Sequence, residues 1–202
     1  MKNGRRPTIC DRIDFDGGDH TIEDDVRSEG MPTPNPSSQR PLVLLDVDGV
    51  INDLKCLRGD VPDDYEVIRS NGYKVYVPQY MPGLVQWLCE VAEVHWCTTW
   101  RDRANQEIAQ HLGIAALPVV DDGTNDRHVD WKAAAAFSLA KSALDAGRRV
   151  VWIEDFYEDA PIDQMPVGVE FVDTASGDEP LQVLTADMVP DWMFGLSSGR
   201  AA

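Results

Sequence analysis

Four consecutive apolar residues, Leu42-Val-Leu-Leu45, run straight into Asp46-Val-Asp48-Gly49-Val-Ile-Asn52. A short, continuous apolar run that stops at turn residues is the pattern of a strand buried on both faces, the habit of parallel sheets. In open α/β sheets ligands bind outside the carboxyl ends of the strands, which is where Asp46 and Asp48 emerge. Burying two carboxylates at the end of a hydrophobic strand is costly, and a divalent cation is the usual compensation. Gly49 lets the backbone turn sharply just after the pair.

The chain beyond this stretch alternates strand and helix patterns. Glu66 to Val77 holds two β-prone runs around Asn71-Gly72, the strongest short hairpin signal. Pro78 and Pro82 precede a helix predicted from Gly83 to Val91, with Leu84, Val85, Leu88 and Val91 at helical spacing. Val94 to Cys97 reads as a strand, Asp102 to His111 as a helix stopped by Gly113, and Leu117 to Val120 as a short strand. Asp121 to Asp130 is a polar loop, Trp131 to Ala146 an Ala-rich helix closed by Gly147, and Arg149 to Ile153 another buried strand. Val167 to Val172 is the last strand, with Val167, Val169 and Phe171 alternating, and Thr185 to Phe194 holds a short helix. Alternating strands and helices imply βαβ units and an α/β fold, a parallel sheet with helices on both faces.

Residues 1–40 differ in kind: Asp, Glu, Gly, Ser and Pro dominate, so the segment buries too little apolar area to offset its ordering entropy. We expect a disordered acidic, Pro-rich tail there, a folded domain over 41–195 with a hairpin insertion at about 53–78, and a flexible end at 196–202. The net charge of -17 repels nucleic-acid backbones and anionic membranes. It still allows a phosphate held through a metal ion. Cys10, Cys56, Cys89 and Cys97 show no Cys-x-x-Cys spacing, as expected of reduced thiols. With no membrane-length apolar run and no signal-peptide core, the expectation is a soluble cytoplasmic protein.

Polar residues recur where the predicted strands end or helices begin. Thr98 and Thr99 follow the strand at Val94, and Thr98 is preferred as the first polar residue after it. Lys132 stands in the first turn of the Ala-rich helix, where the dipole mildly disfavours a cation, so its presence invites a reason. Glu154-Asp155-Phe-Tyr-Glu-Asp159 follows the strand at Arg149. His95, inside its strand, reads as packing.

Together these stretches resemble the four motifs of the haloacid dehalogenase-like (HAD) hydrolases, in order, over about residues 41–175. Asp46-Val-Asp48-Gly49-Val matches the first motif in full. The resemblance implies a Rossmannoid sheet carrying a small β-hairpin flap in place of a large cap. It also implies a Mg²⁺-dependent phosphatase with Asp46 as nucleophile, forming an aspartyl-phosphate. Asp48 is then the acid that protonates the leaving oxygen and later activates water. Thr98 binds the transferring phosphoryl group, Lys132 neutralises its charge, and Gly49, Thr99 and Asp159 border the substrate. Asp46, the Asp48 carbonyl, and either Glu154 or Asp155 hold the metal; Glu154 departs from the usual Asp or Gly, which leaves that choice open.

More loosely, Leu45 to Asn52, Trp96-x-Thr98-x-Trp100 with Ala104-Asn105, and Trp152-Ile-Glu-Asp155 are similar to the small HAD domains of Swiss-army-knife RNA repair proteins. An RNA end is thus one conceivable substrate, which the acidic charge does not support; a phosphorylated small molecule or nucleotide is the expectation. Asp48 argues against a dehalogenase, whose relatives lack that residue. Glu154 keeps a catalytically weak binding module as the alternative. Tyr73 and Tyr76 sit on the hairpin, either a flap or a peripheral ornament, and Trp100 and Arg101 read either as core and surface or as contacts to a base or phosphate.

Overall fold

A computed structural model of the 202-residue chain describes residues 40–70, 72–121, 123, 130–155, 162–175 and 183–196. The stretch 1–39, Asn71, most of the loop at 121–130, Asp159, and the end beyond Leu196 lie outside the described residues. Strands β1 (Leu42–Leu45), β4 (Glu93–Trp96), β5 (Val150–Glu154) and β6 (Val169–Asp173) form one sheet in the order β4-β1-β5-β6. All of its pairings are parallel, with Leu45 level with Trp96 on one side and Ile153 on the other. The chain leaves β1 to one side for β4 and returns past it for β5. β1 is therefore the strand where the order reverses, and the crevice at its carboxyl end is the expected ligand position.

Alternation along the central strands divides the core in two. Val43, Leu45, Val151 and Ile153 pack with Leu84, Val85 and Leu88 of helix α1 (Met81–Val91). Leu42, Leu44, Val150 and Trp152 pack with Ala133, Ala136, Ala140 and Ala143 of α2 (Asp130–Asp145). The small alanines let α2 lie close on the sheet, and helices cover both faces as expected. A separate two-stranded antiparallel hairpin, β2 (Tyr65–Ser70) and β3 (Tyr73–Pro78), turns at Gly72 with φ 87°. A 3-10 turn at Leu54–Leu57 precedes it, capped by Asp53, whose carboxylate accepts from Lys55 N–H and the Tyr65 hydroxyl.

Several boundaries differ from the sequence reading. Helix α1 starts two residues earlier, with Pro82 in its first turn, where its missing N–H costs nothing. The predicted helix 102–111 reduces to a π turn at Ala104–Ile108, with Ala109 N–H reaching back to Ala104. The Asn105 side chain accepts from Trp96 Nε1 and Leu117 N–H at 2.8 Å each and donates to Leu117 O, holding the widened turn to β4. The predicted strand 117–120 is a single bridge, Trp96 to Val119, in which Pro118 offers a carbonyl but no N–H. β6 begins at Val169, after a turn through Gly168 at φ 103°, and Val167 is 99% exposed rather than part of the alternation. At the far end only Asp191–Phe194 is helical (α3). Among the described residues no helix is long and apolar enough to cross a membrane.

Candidate active site

The polar residues singled out above converge at the carboxyl ends of β1, β4 and β5. Asp46 follows β1, its N–H bonded to Ile153 O, and is 5% exposed. Lys132, from the first turn of α2, is 3% exposed and places its Nζ 3.0 Å from Asp46 Oδ2 and 2.6 Å from Glu154 Oε2. Burial alone would lower the Lys132 ammonium, but Asp46 and Glu154 beside it raise it instead. The lysine that the helix dipole disfavours is thus held by two buried carboxylates. Glu154 is pushed well up by burial and by the charge of Asp46, and Asp155 is pushed up to about 7 by burial and then by Asp46.

Carboxylate oxygens of Asp46, Glu154 and Asp155 lie within 4.8 Å of one another. With all three ionised, the carboxylates outnumber the one ammonium by two charges, the charge of one divalent ion, and the mutual repulsion is part of what raises Glu154 and Asp155 in the metal-free protein. Among the described residues Asp46 Oδ1 is buried with no hydrogen-bond partner, as expected of an oxygen whose partner is a cation. An all-oxygen donor set suits Mg²⁺, which needs only one or two carboxylates and keeps its waters. The residues present fit such an ion.

The loop after β1 doubles back at once: Ile51 and Asn52 N–H groups both reach Val47 O, and Gly49 takes φ 70°. A Cβ on Gly49 would overlap the Asp155 carboxylate. Thr174, buried after β6, donates its hydroxyl to Gly49 O at 2.9 Å and its N–H to Glu154 O, tying this loop to β5. Gly49→Ala adds both the strained φ and the overlap, and affinity for a divalent ion at the three carboxylates should fall about 10- to 100-fold, as for other supports of a ligand. Calorimetric titration measures this; unchanged affinity would separate Gly49 from the metal site.

Asp48 is clamped rather than solvated. Its Oδ1 accepts from Asn52 Nδ2 at 2.7 Å and its Oδ2 from Trp100 Nε1 at 2.8 Å. Each oxygen keeps a second lone pair, so these bonds fix the rotamer and leave Asp48 able to carry a proton. Asn52 also accepts from Tyr76 N–H, which fastens the hairpin to the acid. Thr98 is fully buried, and its Oγ1 accepts from Trp100 N–H at 3.3 Å, shaping the turn that delivers the tryptophan. Thr99 is exposed and borders a cleft of about 680 Å³ that also reaches Asp48, Asn52 and Trp100. Arg101 takes φ 50°, pairs with Asp121 and lies 4.1 Å over the Trp131 ring. His95 pairs with Glu93 on the edge strand, in keeping with a structural role. Asp159 lies outside the described residues.

Asn52 and Thr174 join the site without having been assigned a role in it from sequence, and Trp100, read from sequence either as core or as a contact to a base or phosphate, instead holds Asp48. The Asp48-to-Asn52 spacing was the one local signal.

A family described as "HAD domain in Swiss Army Knife RNA repair proteins" matches residues 42–177, well over half of the chain. The chain belongs to this family. Its parallel sheet with a hairpin is the fold expected of such a HAD domain. Among solved structures, a hypothetical protein of Xanthomonas campestris is 19% identical over 62% of this chain and 59% of its own, at a TM-score of 0.34. This HAD-like chain thus spans less than two thirds of that relative. A Legionella pneumophila protein described as a HAD superfamily (subfamily III A) hydrolase is 21% identical over 73% of each chain, at a TM-score of 0.37. A Vibrio cholerae protein described as a 3-deoxy-D-manno-octulosonate 8-phosphate phosphatase is 20% identical over 73% of this chain and 75% of its own, at a TM-score of 0.38. Likeness at that level says nothing about substrate. No curated protein matches the chain.

Proposed function

We propose that this HAD-domain chain is a hydrolase, a Mg²⁺-dependent phosphomonoesterase that works through an aspartyl-phosphate on Asp46. The observation that carries the reading is the buried cluster of Asp46, Lys132, Glu154 and Asp155, with Asp46 Oδ1 left without a hydrogen-bond partner among the described residues. Asp46 attacks phosphorus, the bond to the leaving oxygen breaks, and Asp48 gives that oxygen its proton. Asp48 then takes a proton from water; the hydroxide attacks phosphorus, the bond to Asp46 breaks, and phosphate leaves. Lys132 holds Asp46 in place and offsets the charge gathered around it. Asp46, Asp155 and the Asp48 carbonyl are the ligands we assign. Glu154, in contact with Lys132, serves to anchor that lysine. Magnesium, when bound, neutralises phosphoryl oxygens so that an anion can approach a carboxylate. Thr98 and Thr99 border the phosphoryl position, and Thr99 opens onto the cleft.

The free thiols of Cys56, Cys89 and Cys97 fit a cytoplasmic setting. Small phosphate esters and nucleotides lead the substrate panel. A phosphorylated RNA end belongs in it through the family's description, against the net charge of -17.

Hydrolysis of an aryl phosphate should stop in excess chelator and return with Mg²⁺; turnover that persists without metal would overturn the proposal. The pH dependence has a definite sign. Asp155, pushed up to about 7 in the metal-free protein, must lose its proton to serve as a ligand. Apparent Mg²⁺ affinity should therefore rise as pH increases through about 7 and level off above it. An affinity independent of pH between 5.5 and 8.5 would remove Asp155 from the ligand set.

A further inference from the structure

The cleft beside Asp48 has an unusual wall for so acidic a protein. Tyr73, on the hairpin, is 62% exposed and meets Trp100 edge-on, with ring centroids 6.3 Å apart. The Arg103 guanidinium lies 4.8 Å from the Trp100 centroid and 5.8 Å from that of Tyr73, and is steered by Glu107 through bonds of 3.1 and 3.2 Å. Leu57, 59% exposed, borders the same cleft. Large apolar side chains cost free energy when left in water, and two exposed ones, Tyr73 and Leu57, border the cleft where Asp48 sits, with Trp100 nearly buried behind them.

The inner end of this wall is fixed to the reacting groups. Trp100 donates to Asp48 Oδ2, and Tyr76, the register partner of Val67 in the hairpin, donates its N–H to Asn52, which in turn donates to Asp48 Oδ1. An acid that protonates a leaving oxygen must lie on the leaving-group side of phosphorus. Whatever the phosphate is esterified to therefore projects past Asp48 into the cleft. A volume of about 680 Å³ is of the size that encloses a small-molecule moiety.

We propose that Tyr73, Trp100, Arg103 and Leu57 form a leaving-group subsite selective for phosphate monoesters that carry a planar aromatic ring beyond the ester oxygen. This inference rests on the phosphomonoesterase reading for the orientation of the ester, and on the cleft itself for the choice of ring. The exposed Tyr73 face and the Arg103 plane supply ring stacking and cation–π attraction, which a saturated group of equal size cannot use. The hairpin is thereby a specificity element rather than an ornament.

Two probes differ only in that property: 2-phenylethyl phosphate and 2-cyclohexylethyl phosphate have the same primary alkoxide leaving group and similar apolar bulk. The ratio of their kcat/KM values should be about five in favour of the aromatic ester, within the span of aromatic pair energies. Tyr73→Phe keeps the ring and should keep the ratio, whereas Tyr73→Ala should bring it close to one. A wild-type ratio of one, or an unchanged ratio in Tyr73→Ala, would overturn the subsite. Calorimetric titration of both esters onto the Asp46→Asn variant reads the same preference as a ratio of dissociation constants, without turnover. A ring preference there in a protein that hydrolyses neither ester would retain the subsite and remove the phosphatase.

Discussion

Replacing Asp46 with asparagine should reduce phosphate-ester turnover on the order of 10⁴-fold or more, the scale seen when a reacting side chain is removed from a catalytic unit. The substitution conserves volume, and an amide oxygen can still face Lys132, so packing at the end of β1 survives. A neutral amide has no carboxylate oxygen with which to form an acyl phosphate. The fold should tolerate the change well. Lys132 retains Glu154 at 2.6 Å, and one of three crowded carboxylates has gone. Because the charge of Asp46 helps push Glu154 and Asp155 up, both should move back toward the ordinary carboxylate range in the variant. Single-turnover kinetics with a labelled ester, run beside thermal melts, separate the two effects. Activity within 100-fold of wild type would show that Asp46 is not the nucleophile, and a collapsed melting temperature would show that its role is structural.

How far the sequence foretold this site depended on the range of each interaction. β1 was legible because four apolar residues in a row admit few alternatives to a strand buried on both faces. The hairpin was legible from its turn chemistry, and the two layers of helix from the alternation of patterns. Apart from the family resemblance, Lys132 was readable as a mild violation of dipole preference, and its two partners explain the violation. Glu154 and Asp155, adjacent at the end of β5, point differently, one toward Lys132 and the other against Gly49, a difference no sequence pattern displays and the one on which the proposed ligand assignment rests.

The bond from Trp100 to Asp48, and Thr174 altogether, escaped for a simpler reason. Trp100 meets Asp48 across 52 positions, and Thr174 meets Gly49 across 125. No periodicity spans such separations. The π turn was missed because apolar spacing over 102–111 suits an α-helix equally well, and the deciding bonds come from Asn105 to Trp96 and Leu117. The Trp100 contact falls in the loop beside Asp48. Arg101 at φ 50° marks the same loop.

Lys132→Met should destabilise the protein by about 3–5 kcal/mol at pH 8, the usual consequence of removing one partner from a buried ion pair. For a chain of 202 residues that is a fall of roughly 10 °C in melting temperature. Methionine retains the length and apolar stem, so the loss reports charge rather than a cavity. The pH dependence discriminates further. In the wild type the raised Lys132 group contributes stability that is fully present below its ordinary value of 10.5 and is lost only as pH rises through the higher folded value. Between pH 5 and 8 its own contribution is therefore flat. In the variant Glu154 and Asp155, already pushed up, lose the ammonium that held them down, and the folded state binds protons more tightly still. Folding of the variant is then favoured at low pH and weakens as pH rises through 7 and beyond. The gap between wild type and variant should be small near pH 5, full at pH 8, and partly closed by millimolar Mg²⁺, which supplies positive charge to the same carboxylates. Equal gaps at pH 5 and pH 8 would mean that Lys132 acts through packing, and the charge deficit on which the metal site rests would lose its footing.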